Sequence, residues 1–311
     1  MMSNCDLKGI YPVAPTPFLP NGEIDHYSIG KLVAFYESLE VDGITILGLL
    51  GESAKLNSEE SLDVIKSFLG YAKQLNIIVG ASASGFASMK YVASRAMEMG
   101  AAAVMIGPSP VLRTNDQVIG YYDTVAAILG DDIPFIIQDY PLVNQVIFSN
   151  NVLRDIVERN KSCIAIKHED WPGLEKLRTL KDWMANGSMR KVPLLVGNGG
   201  LFIDFEYTSG ADGAMTGYPF PEMLMKCLSL AKREDFDQLH DVFDLHLPYL
   251  RYEAQPKIGL AIRKYVLKLR GAICHDTQRK PYMAMTEKTR KDVDYLIARL
   301  IAKTDIKLKV L

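Results

Sequence analysis

In the stretch Cys163-Ile164-Ala165-Ile166-Lys167-His168-Glu169-Asp170, an uninterrupted run of small and apolar residues ends in a lysine, and acidic residues follow. A continuous apolar run is typical of a parallel strand that is covered on both faces. In α/β barrels, the carboxyl ends of such strands carry the chemistry. An amine withdrawn from water at this position can act as a nucleophile and form a Schiff base with a carbonyl compound. The alternative is a solvent-facing lysine that merely ends a strand.

Length and charge limit the classes to which the protein can belong. A chain of 311 residues fits one large α/β barrel or two smaller domains. Its 48% of hydrophobic residues are enough for a sizeable core. The 35 basic and 37 acidic residues leave a net charge of -2, which argues against a nucleic-acid partner.

Cysteine spacing and hydropathy argue against several kinds of site and location. The four cysteines, Cys5, Cys163, Cys227 and Cys274, are scattered without a CxxC pair, so neither a zinc site nor a disulfide framework is indicated. No apolar run approaches the roughly 18 residues that a membrane span needs. The first nine residues lack the hydrophobic segment of a signal peptide. We therefore expect a cytoplasmic protein without a membrane partner.

A unit made of one apolar strand and one helical pattern occurs eight times along the chain. Eight evenly spaced units predict a (β/α)8 TIM barrel. A doubly wound open sheet is the alternative, and the absence of GxGxxG after the first strand counts against it. Asn57 and Glu60 form a capping-box pattern at the start of the second helix. The predicted strands are 10–14, 43–47, 77–81, 103–106, 135–138, 164–167, 194–197 and 213–216.

The residues after the last predicted strand have only helical patterns. The predicted helices are 221–232, 235–247, 257–269 and 286–302, punctuated by Pro248 and Gly271. The first of these helices closes the barrel, and no linker long enough to free the others is present. We therefore predict a catalytic barrel domain of residues 1–233 and a C-terminal helical extension of residues 234–311.

The carboxyl ends of the predicted strands contain one amine, one phenol, several hydroxyls and two glycine-rich loops. The loops are 48–53 and 197–200, and their backbone N–H groups can bind an anion. The set contains no histidine, and Glu52 and Asp139 lack metal-ligand spacing. Covalent amine catalysis is therefore favoured over metal chemistry, and no cofactor or metal is expected. Two alternatives remain open: loop 48–53 as a simple tight turn, and the Gly197 loop as a phosphate site.

Several motifs, taken in order, resemble the dihydrodipicolinate synthase/N-acetylneuraminate lyase family of Schiff-base aldolases and dehydratases. They are Ala-Pro-Thr-Pro-Phe at 14–18, Gly-x-x-Gly-Glu-Ser at 48–53, a tyrosine and proline after strand five, the lysine that ends strand six, and Gln-Pro-Lys at 255–257. The resemblance covers the whole chain. It implies a barrel with C-terminal helices, usually a homotetramer, that holds a 2-oxo acid, typically pyruvate, as an imine on Lys167. It also implies Tyr140 as proton shuttle, with a substrate-binding set of Thr16, Gly48, Leu49, Leu50, Gly51, Gly197 and Met215.

The chain departs from the family pattern at four places. Leu49 and Leu50 stand where the family usually has two threonines, which leaves only backbone N–H groups to hold a carboxylate. The usual tyrosine motif of the family is Tyr-Asn-x-Pro. When Pro141 is aligned with the proline of this motif, Gln138 stands at the position of the tyrosine, and the phenol of Tyr140 lies two residues later, roughly 6–7 Å further along the strand. The arginine that synthases carry after Pro141 for their second substrate is absent. Ser109 and Pro110 also stand where synthases place a further tyrosine, in the loop after strand four. The missing arginine and this missing tyrosine predict a divergent member that is not a true dihydrodipicolinate synthase.

The first hypothesis is a class I lyase, aldolase or dehydratase, that acts on a 2-oxo acid such as a sugar-acid derivative. Aldol cleavage and dehydration both remain open. The alternatives are a catalytically silent barrel that binds a small acid as a sensor or scavenger, synthase activity despite the missing arginine, and a phosphosugar enzyme that uses the Gly197 loop.

Overall fold

Eight parallel strands form one sheet in the part of the chain that the computed structural model describes, residues 7–171, 173–306 and 308. Cys5 and the outer ends of the two predicted domains lie outside these residues. The strand order is β1-β8-β7-β6-β5-β4-β3-β2, so consecutive strands from β2 to β8 pair with each other and β1 pairs with β8. The strands are β1 (Gly9–Ile10), β2 (Gly43–Ile46), β3 (Asn76–Gly80), β4 (Ala103–Ile106), β5 (Phe135–Asp139), β6 (Cys163–His168), β7 (Leu194–Val196) and β8 (Gly213–Ala214).

The segment after β1 closes this sheet into a barrel. Val13 forms a parallel bridge with Thr45, and its N–H donates to the carbonyl of Thr216. The N–H of Ala14 donates to the carbonyl of Thr45, and the N–H of Thr45 donates to the carbonyl of Pro12. Residues 11–14 are therefore the seam between β8 and β2, and the predicted (β/α)8 barrel is confirmed.

Twelve α-helices accompany the strands within the described residues. They are α1 (His26–Ser38), α2 (Ser58–Tyr71), α3 (Phe86–Glu98), α4 (Asn115–Leu129), α5 (Pro141–Asn144), α6 (Asn150–Arg159), α7 (Leu174–Ala185), α8 (Ile203–Thr208), α9 (Pro221–Lys232), α10 (Phe236–Glu253), α11 (Gly259–Leu269) and α12 (Glu287–Ile301). The capping box of Asn57 and Glu60 is confirmed, because each side chain accepts from the other residue's backbone N–H. None of the helices described is long and apolar enough to cross a membrane.

Helix α10 differs from the sequence-based prediction at its end. The predicted stop near Pro248 is wrong, because the helix continues through the proline to Glu253. Tyr249 and Leu250 are buried beyond the proline, and this packing compensates for the hydrogen bond that proline removes. The extra turn brings Glu253 to the mouth of the barrel. The division at residues 233 and 234 stays a prediction.

Successive side chains along each strand point alternately into the barrel and out towards the helices, which gives an inner and an outer layer of packed side chains. In β6, Ala165 packs inside the barrel and Ile166 packs outward against the helices. Because side chains alternate, Lys167 follows Ala165 to the inside at the carboxyl end of β6. The interior layer below it consists of Leu7, Tyr11, Val13, Ile78, Ala103, Met105, Ile136, Ala165, Leu195 and Met215.

Candidate active site

A cavity of about 760 Å³ lies at the carboxyl ends of the strands. Its walls come from the ends of β5 and β6, the loops after β2 and β7, the segment after β8, and the turn between α10 and α11. Lys167 lines this cavity with only 4% of its surface exposed. The amine at the end of β6 is therefore shielded from bulk water but accessible to a small molecule in the cavity.

Glu169 is the direct partner of Lys167. Its Oε2 lies 3.1 Å from Nζ of Lys167, and both side chains are buried. The N–H of Glu169 donates to the carbonyl of Asp139, which continues the pairing of β5 with β6 by one residue. Residues two apart on a strand share a face, so the carboxylate and the amine both point into the cavity.

Neighbouring groups hold the Glu169 carboxylate in place. Nε2 of Gln138 donates to Oε2 at 2.9 Å, and the N–H of Asn198 donates to Oε1 at 3.3 Å. A Cβ added to Gly197 would lie 2.3 Å from Oε1, so only glycine leaves room for this carboxylate. Gln138 is also the Cα partner of Lys167 in the sheet. The lysine thus faces a carboxylate whose orientation is fixed from two sides.

The glycine-rich loop after β7 uses its backbone donors within the protein. The N–H of Asn198 binds Glu169, that of Gly200 donates to the carbonyl of Gly197, and that of Leu201 donates to the carbonyl of Asn198. A phosphate in this loop would compete with these acceptors and would lie beside the negative carboxylate. The geometry therefore does not favour the phosphosugar alternative.

Tyr140 follows β5 directly and lines the cavity. Burial raises the pKa of its phenol above the ordinary value, the nearby Glu169 charge raises it further, and Arg263 lowers it. The phenol is therefore protonated at neutral pH and can donate a hydrogen bond or a proton. Gln138, the residue in the family's tyrosine slot, lines the same cavity two residues earlier.

The loop after β2 forms a 3-10 turn, Leu49–Gly51, at the cavity wall. Leu49 is 49% exposed, whereas a Cβ added to Gly217 would lie 2.1 Å from Cδ1 of Leu50, so Leu50 packs directly against that glycine. Glu52, next in the loop, points away to Nζ of Lys264 at 2.5 Å. Its carboxylate therefore anchors the loop to α11 and is not free to contact substrate.

The structure brings only part of the predicted site set to the cavity. Lys167, Tyr140, Leu49 and Leu50 line it. Among the described residues that form the walls, Thr16, Gly48, Gly51, Gly197 and Met215 do not appear. Thr16 donates its hydroxyl to the carbonyl of Gly51 at 2.6 Å and so fastens the loop. Met215 is fully buried in the barrel interior, where it supports the cavity from below.

Sequence reasoning missed Glu169 and Arg263 as cavity residues. The signal for Glu169 was its position two residues after Lys167, which predicts the same face of an extended strand. Arg263 comes from α11, and its Nε donates to Oε1 of Glu253 at 2.8 Å. No local pattern links α11 to the barrel mouth, so only the packing of the C-terminal helices reveals this arginine.

Comparison with known proteins gives consistent matches along the chain. Residues 6–300 match the model of the Dihydrodipicolinate synthetase family. The L-2-keto-3-deoxyarabonate dehydratase of Azospirillum brasilense is 26% identical over 299 residues, 94% of each chain. The crystal structure of a dihydrodipicolinate synthase from Rhodopseudomonas palustris is 48% identical, with a TM-score of 0.93 over 94% of this chain and 98% of that chain. A catalytic lysine mutant of the Ruminococcus gnavus sialic acid aldolase has a TM-score of 0.86 over 97% and 98% of the two chains, and at 16% identity it shows the fold alone.

Proposed function

Because this chain belongs to the dihydrodipicolinate synthetase family, we propose that it is a class I lyase that binds a 2-oxo acid as an imine on Lys167. The observation that carries the proposal is the buried amine of Lys167 in the cavity, 3.1 Å from the Glu169 carboxylate. An amine is the nucleophile that this chemistry requires, and the carboxylate beside it can accept and return protons.

The site supports a complete reaction sequence on such an acid. Lys167 condenses with the C2 carbonyl: a C–N bond forms, the carbonyl oxygen leaves as water, and an iminium ion remains. Glu169 takes a proton from C3, and the electrons of that C–H bond form an enamine with the iminium. In a dehydratase, the C4 hydroxyl then leaves with a proton as water. In an aldolase, the C4 hydroxyl instead loses its proton as the C3–C4 bond breaks, which releases an aldehyde and leaves the enamine, and a proton is then added to C3 to restore the imine. Hydrolysis of the imine returns the amine.

The other cavity groups have supporting roles in this proposal. Tyr140, with its protonated phenol, gives the proton to the leaving C4 hydroxyl. The first N–H groups of a helical turn lack partners within it, so Leu49 and Leu50 offer backbone donors to the C1 carboxylate, with Gly48 and Gly51 forming the turn. Thr16, Gly197 and Met215 hold this arrangement from outside the cavity.

Dehydration of a sugar-acid derivative is the reaction we favour. The full-length similarity to the L-2-keto-3-deoxyarabonate dehydratase supports it. The family resemblance also supports a homotetramer in the cytoplasm, and sedimentation velocity measures the oligomeric state. The sensor alternative predicts an adduct on Lys167 without product release.

Synthase activity is the second candidate. The 48% identity to a structure described as dihydrodipicolinate synthase favours it. In addition, Arg263 of α11 lines the cavity, whereas the family's arginine comes from the segment after strand five. Incubation with pyruvate and aspartate semialdehyde tests this candidate, whereas release of water from 2-keto-3-deoxy sugar acids tests the first.

Borohydride trapping tests the shared step of both candidates. Reduction in the presence of pyruvate or a 2-keto-3-deoxy sugar acid is expected to add the reduced acid to the peptide that contains Lys167. Lys167→Arg keeps a positive charge beside Glu169 but removes the amine, and it should abolish the adduct. Lys161→Met, in the exposed turn that precedes β6, is the matched control and should trap normally. An adduct on Lys167→Arg, or none on the wild type with any oxo acid, would overturn the proposal.

A further inference from the structure

Arg263 presents an unused hydrogen-bonding edge to the cavity. Glu253 engages its Nε at 2.8 Å and is itself buried, with Oε2 accepting from the hydroxyl of Tyr249 at 2.7 Å. Within the part of the chain that the structure describes, neither Nη atom of Arg263 has a hydrogen-bond acceptor. A guanidinium fixed through Nε and open at Nη is oriented to bind a planar carboxylate with two parallel bonds.

The glycine loop after β7 makes room for this guanidinium. A Cβ added to Gly199 would lie 3.1 Å from Nη2 of Arg263. Gly199 has a φ of 71°, in the left-handed region that glycine tolerates at little cost. The Nη2 end of the guanidinium therefore lies beside the loop that also holds Glu169, and both Arg263 and Gly199 line the cavity.

Lys257 adds a second positive charge to the same wall. It lines the cavity in the turn between α10 and α11, its side chain is exposed, and no acceptor for its amine occurs among the described residues. Its backbone has a φ of 70°, a strained conformation for a lysine. Strain of this kind is typically retained at functional positions.

The charges of the cavity are unevenly distributed. Lys167 and Glu169 neutralise each other at the end of β6, and Glu253 compensates Arg263 through Nε. The excess positive charge lies on the α10–α11 wall, at Lys257. The C1 carboxylate of an oxo acid is one bond from the imine carbon on Lys167, so it lies at the strand end. The cationic side chains on the α10–α11 wall therefore lie where a different part of the ligand would bind.

We propose that Arg263 and Lys257 form a second anion subsite, which selects 2-oxo acids with a further carboxylate at the far end. The inference rests on the proposed imine at Lys167 and names the substrate class of that site. The cavity, at about 760 Å³, is in the range that holds a ligand well above the size of pyruvate. The bound substrate spans the cavity, with the imine at one end and the second carboxylate on the Nη edge of Arg263.

Matched pairs of oxo acids test the subsite. 2-Oxoglutarate is compared with 2-oxopentanoate, and 2-oxoadipate with 2-oxohexanoate, because each pair differs only in the terminal carboxylate. The measurement is the concentration that gives half-maximal borohydride trapping on Lys167. In at least one pair, the diacid is expected to half-saturate at a concentration roughly tenfold lower or more, as a charge-assisted bidentate contact provides.

Three variants separate this preference from general damage. Lys257→Met, at an exposed position, should weaken diacid trapping several-fold and leave monoacid trapping unchanged. Arg263→Lys keeps the charge and loses the planar fork, so it should reduce the diacid preference as well. Arg263→Met combined with Glu253→Gln avoids a buried unpaired carboxylate and should remove the preference.

The outcomes distinguish failure of the subsite from failure of the imine. Equal half-saturation of diacids and monoacids by the wild type would overturn the subsite and leave the imine intact. The subsite is also overturned if the variants weaken both members of a pair equally. Trapping of no oxo acid at all would instead overturn the proposed function.

Discussion

Replacement of Glu169 by glutamine tests whether this carboxylate moves the proton at C3 of the substrate. The change removes one negative charge and keeps the shape of the side chain, so Gln138 and Asn198 retain a hydrogen-bonding neighbour. Oε2 of Glu169 lies 3.1 Å from Nζ of Lys167, which at an effective dielectric constant of about 20 gives a gross attraction of about 5 kcal/mol. Desolvation of two side chains that are 5% and 7% exposed offsets a large part of this attraction.

The kinetic effect of the substitution follows from the role assigned to the carboxylate. A positioned acid–base group contributes about 100-fold to 10,000-fold to a proton transfer. This range corresponds to about 3 to 5 kcal/mol of activation free energy. We therefore expect Glu169→Gln to slow proton removal from C3 by about 100-fold or more.

Exchange of the pyruvate methyl protons in deuterated water measures this step by proton NMR. Glu169→Gln should lose exchange while borohydride still traps pyruvate on Lys167, because imine formation needs the amine and exchange needs the base as well. Glu175→Gln, on the exposed surface of α7, is the matched control and should exchange at the wild-type rate. If Glu169→Gln exchanges normally and Tyr140→Phe does not, Tyr140 is the proton carrier and the assignment to Glu169 is refuted.

Two further predictions concern stability. Burial lowers the pKa of His246 to about 4, so below pH 6.5 the unfolded state binds more protons than the folded state, and the free energy of unfolding falls as the pH drops towards 4. This histidine contributes up to about 3 kcal/mol of that loss. In urea unfolding, His246→Asn should therefore lose less stability than the wild type between pH 7 and 4.5. Glu52→Gln leaves the Lys264 ammonium buried without its carboxylate and should reduce the free energy of unfolding by about 3 to 5 kcal/mol. Glu60→Gln breaks an ion pair with Arg279 in which the Glu60 side chain is 29% exposed, and it should reduce the free energy of unfolding by about 1 kcal/mol or less. Equal losses of stability in Glu52→Gln and Glu60→Gln would contradict the assumption that burial sets the strength of these ion pairs.

The local pattern of the sequence was sufficient to predict the barrel and the position of Lys167. A continuous apolar run encodes a strand covered on both faces, and eight such runs that alternate with helical periodicity leave few topologies. The same alternation placed Lys167 at a strand end. It also predicts that Glu169, two residues later, lies on the same face as Lys167. Pro248 shows the limit of such rules, since buried packing carried α10 past a residue that usually ends a helix.

The sequence by itself determined the strand–helix order, the barrel and the nucleophile that we propose, because each depends on periodicities within a few residues. Only the tertiary structure decided which side chains share the cavity with Lys167. Arg263 and Glu253 reach it through the docking of α10 and α11, and Glu52 is withdrawn from it by Lys264, 212 positions away. Contacts of this range depend on how whole helices pack against the barrel, and no short sequence pattern encodes that packing.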